Sequence, residues 1–533
     1  MIKYENIIIG AGPAGLQLGY FFQKANINYI IIEKGKKSAT FFSKYPHTGT
    51  LISINKKYTG NDNKDFNLRH DWNSLLNEED LLFTNYSDEY YPSNKDLVRY
   101  LNDFAVKNKL NIVYNSNVIK VNKNEENYDL EVIENENQLQ YSCNKLIIAT
   151  GLSKVNKPDW DYNVKQPILH YGEYPKNYFK KKENLEKFKN KSLLIIGNGN
   201  CGFELGNHLN KYCSKIHIVG RNQWNWALTT HYTGDIRGVY LQFFDTFLLK
   251  SLNSISWDKI YKIIFKQENE YDKYSAHRIC TKECATLHSL LRDMQDKFDH
   301  IIICTGWKFD NSIYNFDVAT TSNDKYPAIN YDFQSINNKN LYFIGSLMHS
   351  LDLKKSSGGF IHGFRYLIQH FFNLNYTKIY NINNFSNVNS LIDHILYKIN
   401  TSSALYQMYG ELSDIFFLDN NKNYFYINNV PKNFLKTHLL KIPNKIYFVL
   451  TLEYGKDLVT DITKIGKKVS SLGFENKSPL LHLIINIVTI TNDLLVIKLD
   501  EVHFDEDIRA EFLLDHLYKD KILRTIKMFI DIS

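Results

Sequence analysis

The sequence predicts an α/β fold with two Rossmann-like dinucleotide-binding domains and a C-terminal α+β domain. Two observations carry the nucleotide-binding prediction. The apolar run Tyr4–Ile9 precedes GAGPAG at 10–15, and the run Ser192–Ile196 precedes GNGNCG at 197–202. A helical pattern follows each of these turns. A strand, a GxGxxG turn and a helix in this order form the fingerprint of a dinucleotide site.

The first unit contains every part of that fingerprint. The first glycine permits the tight turn, the second lets the backbone approach a pyrophosphate, and the third allows helix and strand to pack closely. The helix N-terminus adds N–H groups and a positive dipole. A second apolar run, Tyr29–Ile32, ends at Glu33, where an acid can bind ribose. The residues predicted to bind the dinucleotide here are Gly10, Gly12, Pro13, Ala14, Gly15 and Glu33.

The rest of the first unit predicts further elements. A helix is expected near Asn94–Lys107, with Ser93 or Asn94 as its cap and Asp96 in its first turn. Alternating apolar and polar residues then predict strands. The run Lys145–Gly151 reads as a buried strand that ends in a small-residue turn.

The second unit differs from the first at one informative position. Its second strand, Lys215–Val219, ends at Gly220 and Arg221 instead of at an acid. An acid suits a free ribose 2′-hydroxyl, whereas the guanidinium fork of an Arg suits a 2′-phosphate. The sequence therefore favours NADPH over NADH, and His231, Asp235 and Arg237 could join the phosphate pocket. The residues predicted to bind NADPH are Gly197, Gly199, Asn200, Gly202, Arg221 and Arg237.

Two later segments return to the pattern of the first unit. The strand-like run Asp299–Trp307 repeats the Thr-Gly ending of the earlier strand, and Asn340–Gly345 is another apolar run. The glycines of Ser356–Ile361 lead into a helix. The N-terminus of such a helix can face the electron-rich N1–O2 edge of a flavin. Residues 379–533 carry no motif that assigns a role.

Composition narrows the function classes. The net charge of +7 over 533 residues is mild and no dense Lys/Arg block occurs, so no nucleic-acid partner is expected. Leu480–Leu499 is apolar but interrupted by polar residues, which predicts strands or a core helix and no membrane span. The six cysteines lack metal-finger spacing, so no metal is predicted. Cys280 and Cys284 read as a buried or incidental pair more readily than as a redox couple.

Several segments carry a family resemblance. The most specific is His70-Asp71-Trp72-Asn73 within Phe66–Leu76. It is joined by Leu51–Lys56 and Ser357–Tyr366, and by Ala404–Tyr409 and Leu452–Gly455 in the tail. With the two glycine turns, the chain resembles flavin-containing monooxygenases and, more closely, the FAD-dependent oxidoreductase domain-containing family.

The resemblance implies two cofactors and a domain layout. FAD occupies the first glycine turn and NADPH the second, whose domain is inserted in the FAD domain. The implied FAD-binding ranges are 1–165 and 300–378, the NADPH-binding range is 166–299, and 379–533 is the C-terminal domain. Beyond the first turn and Glu33, the residues implied to hold FAD are Trp72, Asn73, Thr150, Gly151, Gly345, Gly358, Gly359 and Phe360.

The resemblance also suggests catalytic residues. Asn55 looks like the Asn that monooxygenases place near flavin C4a, and Asn73 is the alternative. An amide suits this role because it stabilises a peroxide without being an acid strong enough to expel it. His70, Asp71 and His362 could adjust protons, although a structural His–Asp pair explains these residues at least as well.

The implied reaction is that of an NADPH-dependent monooxygenase. Hydride passes to FAD, and a C4a-hydroperoxyflavin transfers oxygen to a soft nitrogen or sulfur of a small molecule. One alternative is a thiol–disulfide reductase, which needs a redox pair of cysteines. The second glycine turn holds Cys201 alone, which counts against this alternative. Another is a flavoprotein with a mainly partner-binding role. A homo-oligomer is left open.

The chain also departs from its relatives. The monooxygenase fingerprint survives only as His170 and Tyr174, with Val164 and Gln166 replacing its Phe and Gly. The flavoprotein Gly-Asp ending appears as Gly345 followed by Ser346, which removes an expected ribityl contact. The endoplasmic-reticulum members of the family carry entry and retention signals that this sequence lacks, so a cytoplasmic location is expected.

Overall fold

The computed structural model describes most of the chain and is continuous over the first unit apart from single residues. The described residues are 1–125, 127–160, 162–222, 224–250, 254–257, 260–267, 272–280, 296–377, 382–418, 423–434, 446–455, 481–489, 500–504 and 519–530.

Strands and helices occur throughout the first 219 residues. In this part the strands are β1 (Ile2–Ile9), β2 (Tyr29–Ile32), β3 (Ile112–Val113), β4 (Ser116–Lys123), β5 (Tyr128–Glu134), β6 (Asn137–Ile148), β7 (Lys154–Val155), β8 (Tyr162–Asn163), β9 (Leu169–His170), β10 (Ser192–Ile196) and β11 (Lys215–Val219). The helices are α1 (Pro13–Lys24), α2 (Thr40–Lys44), α3 (Lys64–Leu68), α4 (Asn94–Lys107), α5 (Lys182–Leu185) and α6 (Asn200–Leu209).

The remaining strands lie in the second unit, in the later segment that rejoins the first unit, and in the C-terminal domain (379–533), here called the tail. They are β12 (Ser254–Trp257), β13 (Ile260–Lys266), β14 (Tyr274–Cys280), β15 (Asp296–Phe298), β16 (His300–Ile303), β17 (Trp307–Lys308), β18 (Leu341–Phe343), β19 (Ile382–Phe385), β20 (Leu412–Leu418), β21 (Tyr424–Pro431), β22 (Ile446–Glu453), β23 (His482–Thr489) and β24 (Asp500–Phe504). The helices are α7 (Ala227–Thr230), α8 (Ile361–Phe372), α9 (Val388–Thr401), α10 (Ser403–Gln407) and α11 (Lys519–Ile530), with π-helical turns at Phe243–Leu249 and Asn373–Thr377.

The first sheet is the Rossmann core that the first glycine turn predicts. Its order is β3-β2-β1-β6-β5-β4, with β18 beside β6. β1 pairs in parallel with β2 and β6, and β18 pairs in parallel with β6. Since β18 follows the second unit in the chain, the second unit is an insertion. The helix prediction at 94–107 is confirmed, and the Ser93 side chain caps it by accepting from Asp96 N.

The second sheet places one strand differently from the predicted domain boundary. The parallel order is β12-β11-β10-β16-β9. Because β16 begins at His300 and pairs with β10, the predicted boundary between 299 and 300 separates this strand from the sheet that it completes. β8 at Tyr162–Asn163 also pairs with β13, inside the predicted NADPH-binding range. The domain ranges otherwise stay predictions.

The tail forms an α+β layer that packs on the first unit. Its antiparallel sheet runs in the order β19-β21-β20-β22-β23-β24, and α9 and α11 pack against each other beside it. β23 lies inside the apolar run at 480–499, so this part of the run forms a strand, the first of the two predicted alternatives. Within the described ranges, no helix has the length and apolar character needed to cross a bilayer.

Candidate flavin and nucleotide site

The first glycine turn has the geometry of a pyrophosphate cradle. Gly10 has φ +106°, in the left-handed region that glycine tolerates. A Cβ on Gly15 would lie 2.0 Å from Gly10 O, so helix and turn approach too closely for any side chain. A Cβ on Gly12 would meet nothing within 4 Å, which leaves open space on the ligand side of the turn. These features fit a pyrophosphate bound by backbone N–H groups.

Glu33 is attached to this turn at the end of β2. Its carboxylate accepts from Ala11 N (2.8 Å), Gly35 N (2.8 Å) and Thr40 Oγ1 (2.9 Å). A carboxylate has about four acceptor positions, so these three donors leave capacity for one ribose hydroxyl. Glu33 therefore fits the predicted ribose role and also braces the turn. Thr40 was missed from the sequence because nothing in its surroundings marks it as a partner of Glu33.

The far edge of the first turn is formed by residues that the resemblance assigned to FAD. Gly151 and Gly345 both have positive φ, +65° and +73°. A Cβ on Gly345 would lie 2.5 Å from Ala14 Cβ, and one on Gly151 would lie 3.2 Å from Ser346 Oγ. The structure thus brings Ala14, Gly151 and Gly345 together with Ser346. The exposed Thr150 comes directly before Gly151.

The second glycine turn repeats the cradle geometry. Gly197 has φ +120°, and a Cβ on Gly202 would lie 2.1 Å from Gly197 O. A Cβ on Gly199 would meet nothing within 4 Å. At the end of β11 the Asn198 side chain covers Gly220 and donates to Asn222 O (2.8 Å).

The other predicted NADPH contacts lie in different places. Arg221 is exposed and has no hydrogen bond or ion pair with any described residue, so its guanidinium is free for a phosphate. Asn200 instead uses its side chain on the loop that follows α7, donating to Gly234 O and Asp235 O. The Arg237 guanidinium donates to Ile52 O (3.0 Å) in the first unit. The phosphate role of Arg237 stays a prediction that this placement does not favour.

The two candidate asparagine motifs lie side by side. Asn55 and Asp71 form an antiparallel β-bridge, and Trp72 N donates to Ile54 O (3.1 Å). Asn73 is fully buried and uses both ends of its amide, accepting from Ser53 Oγ (2.6 Å) and donating to Ile54 O (3.2 Å).

Asn55 differs from Asn73 because no described residue donates a hydrogen bond to its amide oxygen. Its Nδ2 donates to Ser87 O (2.8 Å) and Glu89 O (3.2 Å). Its Oδ1 is buried and receives no hydrogen bond from any described residue. Buried carbonyl oxygens nearly always have a donor, so this one is able to accept a hydrogen bond from a bound group.

The expected His70–Asp71 pair does not form. Asp71 accepts from the backbone N–H groups of Asn73 (3.0 Å) and Ser74 (2.9 Å) and from the Ser74 hydroxyl. Its carboxylate therefore shapes the loop and does not face the imidazole. His70 packs edge-on against Phe66, with 5.3 Å between ring centroids, and burial lowers its pKa. Its catalytic role stays a prediction.

Aromatic and cationic groups stack beside these motifs. The Arg237 guanidinium lies 4.6 Å from the Trp72 ring centroid, and Trp72 stacks on His362 at 4.2 Å. His362 in turn stacks on Phe360 at 5.9 Å. Burial, with the charges of Arg365 and Arg237, lowers the pKa of His362 well below its usual value, so the imidazole is neutral near pH 7.

The glycines before α8 leave room for two neighbouring side chains, a role that the sequence did not reveal. A Cβ on Gly358 would lie 2.5 Å from Asp352 Oδ1, and a Cβ on Gly359 would lie 2.7 Å from the His349 ring. His349 and Asp352 hydrogen-bond each other (2.7 Å), and Tyr232 bonds the other nitrogen of His349 (2.7 Å). These three residues were missed because Tyr232 is far from the others in sequence.

Two cysteines lie in the core behind the second cradle. Cys201 packs against the cluster of buried residues that contains Cys304, and both thiols are free. Cys304 comes from a distant segment, so Cys201 is still the only cysteine of the second glycine turn, as expected. Burial, followed by the contact with Cys304, raises the pKa of Cys201 well above its usual value, which keeps the thiol protonated. Cys284 lies outside the described residues, so the Cys280–Cys284 alternative stays a prediction.

Comparisons with known proteins agree with this geometry. A profile described as pyridine nucleotide-disulphide oxidoreductase matches residues 7–345. The chain is 32% identical over 476 residues to FAD-dependent oxidoreductase domain-containing protein 2 of Mus musculus, covering 84% of this chain and 70% of that protein. The protein of the same name from Danio rerio is 31% identical over 527 residues, covering 90% and 75%. The family resemblance predicted from the sequence is confirmed.

Solved structures share the fold at low identity. Bacillithiol disulfide reductase from Bacillus cereus superposes with a TM-score of 0.52 and 18% identity, covering 71% of this chain and 100% of that one. Flavin-containing monooxygenase from Stenotrophomonas maltophilia superposes with a TM-score of 0.52 and 16% identity, covering 69% of this chain and 97% of that one. At these identities the likeness supports the fold alone, and it confirms the predicted α/β class.

Proposed function

The chain belongs to the pyridine nucleotide-disulphide oxidoreductases and, within them, to the FAD-dependent oxidoreductase domain-containing family; from that premise we propose an NADPH-dependent monooxygenase acting on a soft nitrogen or sulfur of a small molecule. Family membership makes the chain a flavin-dependent oxidoreductase. The unpartnered Oδ1 of Asn55 carries the finer proposal, because it offers a buried acceptor on a residue that resembles the Asn of monooxygenases.

Each part of the site has a task in this proposal. Gly10, Gly12 and Gly15 would hold the FAD pyrophosphate, and Glu33 its ribose. Bound FAD supplies the electron-accepting and oxygen-activating chemistry. Arg221 would bind the 2′-phosphate of NADPH.

Asn55 and the neighbouring rings would act nearer to the reaction. Asn55 Oδ1 would accept a hydrogen bond in the reacting region without delivering a proton. The stacked rings of Trp72, His362 and Phe360 would exclude water, which suppresses the loss of reduced oxygen as peroxide.

A thiol–disulfide reductase is the second candidate because Cys201 packs against the buried cluster that contains Cys304. The raised pKa of Cys201 opposes it, since the thiolate is the reactive form. A Cys201→Ser variant that keeps NADPH oxidation would exclude these thiols from turnover. Loss of NADPH oxidation with retained FAD would favour the reductase. A mainly partner-binding role predicts bound FAD that NADPH does not reduce.

The central experiment is anaerobic reduction by NADPH followed by mixing with oxygen. The proposal expects rapid bleaching of the flavin, slow reoxidation without substrate, and little hydrogen peroxide when a thioether or amine is supplied. Immediate release of one peroxide per flavin would contradict oxygen transfer and support an oxidase or reductase.

Replacing Arg221 with alanine tests the choice of nucleotide. Removing a charge-assisted bond to the 2′-phosphate costs about 1.5–3 kcal/mol, so the Kd for NADPH should rise roughly 10- to 100-fold. The Kd for NADH should stay nearly constant. Isothermal titration of both nucleotides measures this, with Lys211→Ala, an exposed residue just beyond the C-terminal end of α6, as the control. Equal weakening of NADPH and NADH would contradict the phosphate role.

A further inference from the structure

Hydrogen bonds lead away from the second glycine turn toward the first unit. Asn200 begins α6 immediately after Gly199, at the position where the helix N-terminus meets a phosphate. Its amide donates to Gly234 O (3.2 Å) and Asp235 O (2.7 Å) and accepts from Arg237 N (2.9 Å). The loop that follows α7 is therefore fixed to the cradle by three bonds from one side chain.

That loop ends on the first unit. Asp235 N donates to Tyr232 O (3.1 Å), which closes a turn and fixes Tyr232 relative to Asn200. The Tyr232 hydroxyl bonds His349 Nε2 (2.7 Å). On its other side the loop meets the tail, where His231 stacks on Tyr454 at 3.9 Å between ring centroids. Tyr232 therefore has a fixed position between the two units.

The next bonds reach the turn before α8. His349 Nδ1 lies 2.7 Å from Asp352 Oδ1. A carboxylate only accepts hydrogen bonds, so Nδ1 carries a proton, and in the neutral imidazole Nε2 accepts from Tyr232. Asp352 Oδ2 accepts from Gly358 N (2.7 Å) and Ser356 Oγ (2.8 Å). The hydrogen-bonded side chains of Tyr232, His349 and Asp352, here called the relay, are buried and only 7%, 3% and 3% exposed.

Close packing makes this connection stiff. The missing Cβ atoms of Gly358 and Gly359 are what allow Asp352 and His349 to lie against the turn, at 2.5 and 2.7 Å from the ideal Cβ positions. A displacement of His349 therefore cannot be absorbed by an empty space beneath the turn. We expect it to move the backbone just before α8, the helix whose N-terminus would face the flavin edge.

We propose that Tyr232, His349 and Asp352 are positioning residues that couple occupancy of the second nucleotide cradle to the flavin environment. The inference rests on the proposed function insofar as both cofactors bind. Nucleotide binding at the N-terminus of α6 shifts the position of the loop held by Asn200. The relay transmits this shift to the backbone at Gly358. By linkage, the factor by which bound nucleotide changes the affinity for FAD is also the factor by which bound FAD changes the affinity for nucleotide.

The probe is 2′-phospho-ADP-ribose, which fills the cradle without placing a nicotinamide ring on the flavin. Any change that it causes in the flavin spectrum must pass through the protein. We expect it to give a visible difference spectrum in the FAD-loaded protein. In Tyr232→Phe the amplitude should fall at least about 5-fold, while the Kd measured by calorimetry changes by less.

Two further variants complete the test. Tyr326 packs edge-on against the same imidazole, with 6.1 Å between centroids, but takes no part in the relay, so Tyr326→Phe should keep the full amplitude. Asp352→Asn should lose it even if Tyr232→Phe folds poorly. A full difference spectrum in folded Asp352→Asn or Tyr232→Phe would overturn the inference, as would binding without any spectral change in the parent protein. Failure of the parent to hold FAD or to bind the probe would overturn the proposed function itself.

Discussion

Replacing Arg365 with methionine is expected to lower the free energy of unfolding of the first unit by about 3–5 kcal/mol. Arg365 is fully buried, and its guanidinium donates to Leu68 O (2.8 Å), Asp71 O (3.0 Å) and Ser74 O (2.8 Å). Methionine fills similar space but leaves these carbonyls without donors. Each unpaired buried carbonyl costs about 1–3 kcal/mol, partly offset because a charge is no longer buried.

The same substitution should release FAD. The three carbonyls belong to the loop that holds Trp72 and Asn73 in place, so losing their anchor disorders the predicted flavin contacts. Urea unfolding followed by FAD fluorescence measures the effect as a lower midpoint. Arg365→Lys should recover part of the loss because an ammonium can still donate to these oxygens.

Arg99 supplies the control for Arg365. It lies on α4 with its side chain 59% exposed and pairs with Asp96 at the surface. Arg99→Met should therefore change the midpoint by the equivalent of less than about 1 kcal/mol. A midpoint for Arg365→Met that matches the one for Arg99→Met would show that the loop does not depend on the buried guanidinium.

The sequence predicted the parts of the site that depend on short stretches of backbone. The glycines of each cradle and Glu33 act over some twenty residues, so their spacing is visible in one segment. The cap of α4 and the strand character of 482–489 are local in the same sense.

Contacts between distant segments could not be predicted in this way. Tyr232 and His349 are 117 positions apart, and the bond from Arg69 Nε to Ser402 O spans 333. No periodicity records such a pairing, and a buried Arg looks like a surface Arg in sequence. Arg237 illustrates this, since its sequence position does not reveal that its side chain lies against Trp72 in the first unit. The strand at 300–303 was separated from its sheet because only pairing with β10 reveals its partner.

Asn55→Ala and Asn73→Ala are expected to separate the two roles that the sequence could not distinguish. Removing Asn55 takes away the free acceptor, and loss of one preorganised hydrogen-bonding group at a reacting centre typically costs about 10²–10³-fold in rate. Oxygen transfer should fall by that factor, with NADPH consumption diverted to hydrogen peroxide. Flavin reduction by NADPH should continue, because the second cradle is untouched.

Asn73→Ala should have the opposite profile. Its amide is committed to Ser53 and Ile54, so its loss costs two hydrogen bonds, about 1–3 kcal/mol of stability in total. The enzyme that remains folded should still couple NADPH to product, as judged by the ratio of peroxide to oxygenated product. Asn55→Ala also loses its bonds to Ser87 and Glu89, so both variants are compared at equal FAD content. If Asn73→Ala uncouples the reaction and Asn55→Ala does not, the free acceptor is not the group that the chemistry uses, and the role passes to the buried amide of Asn73.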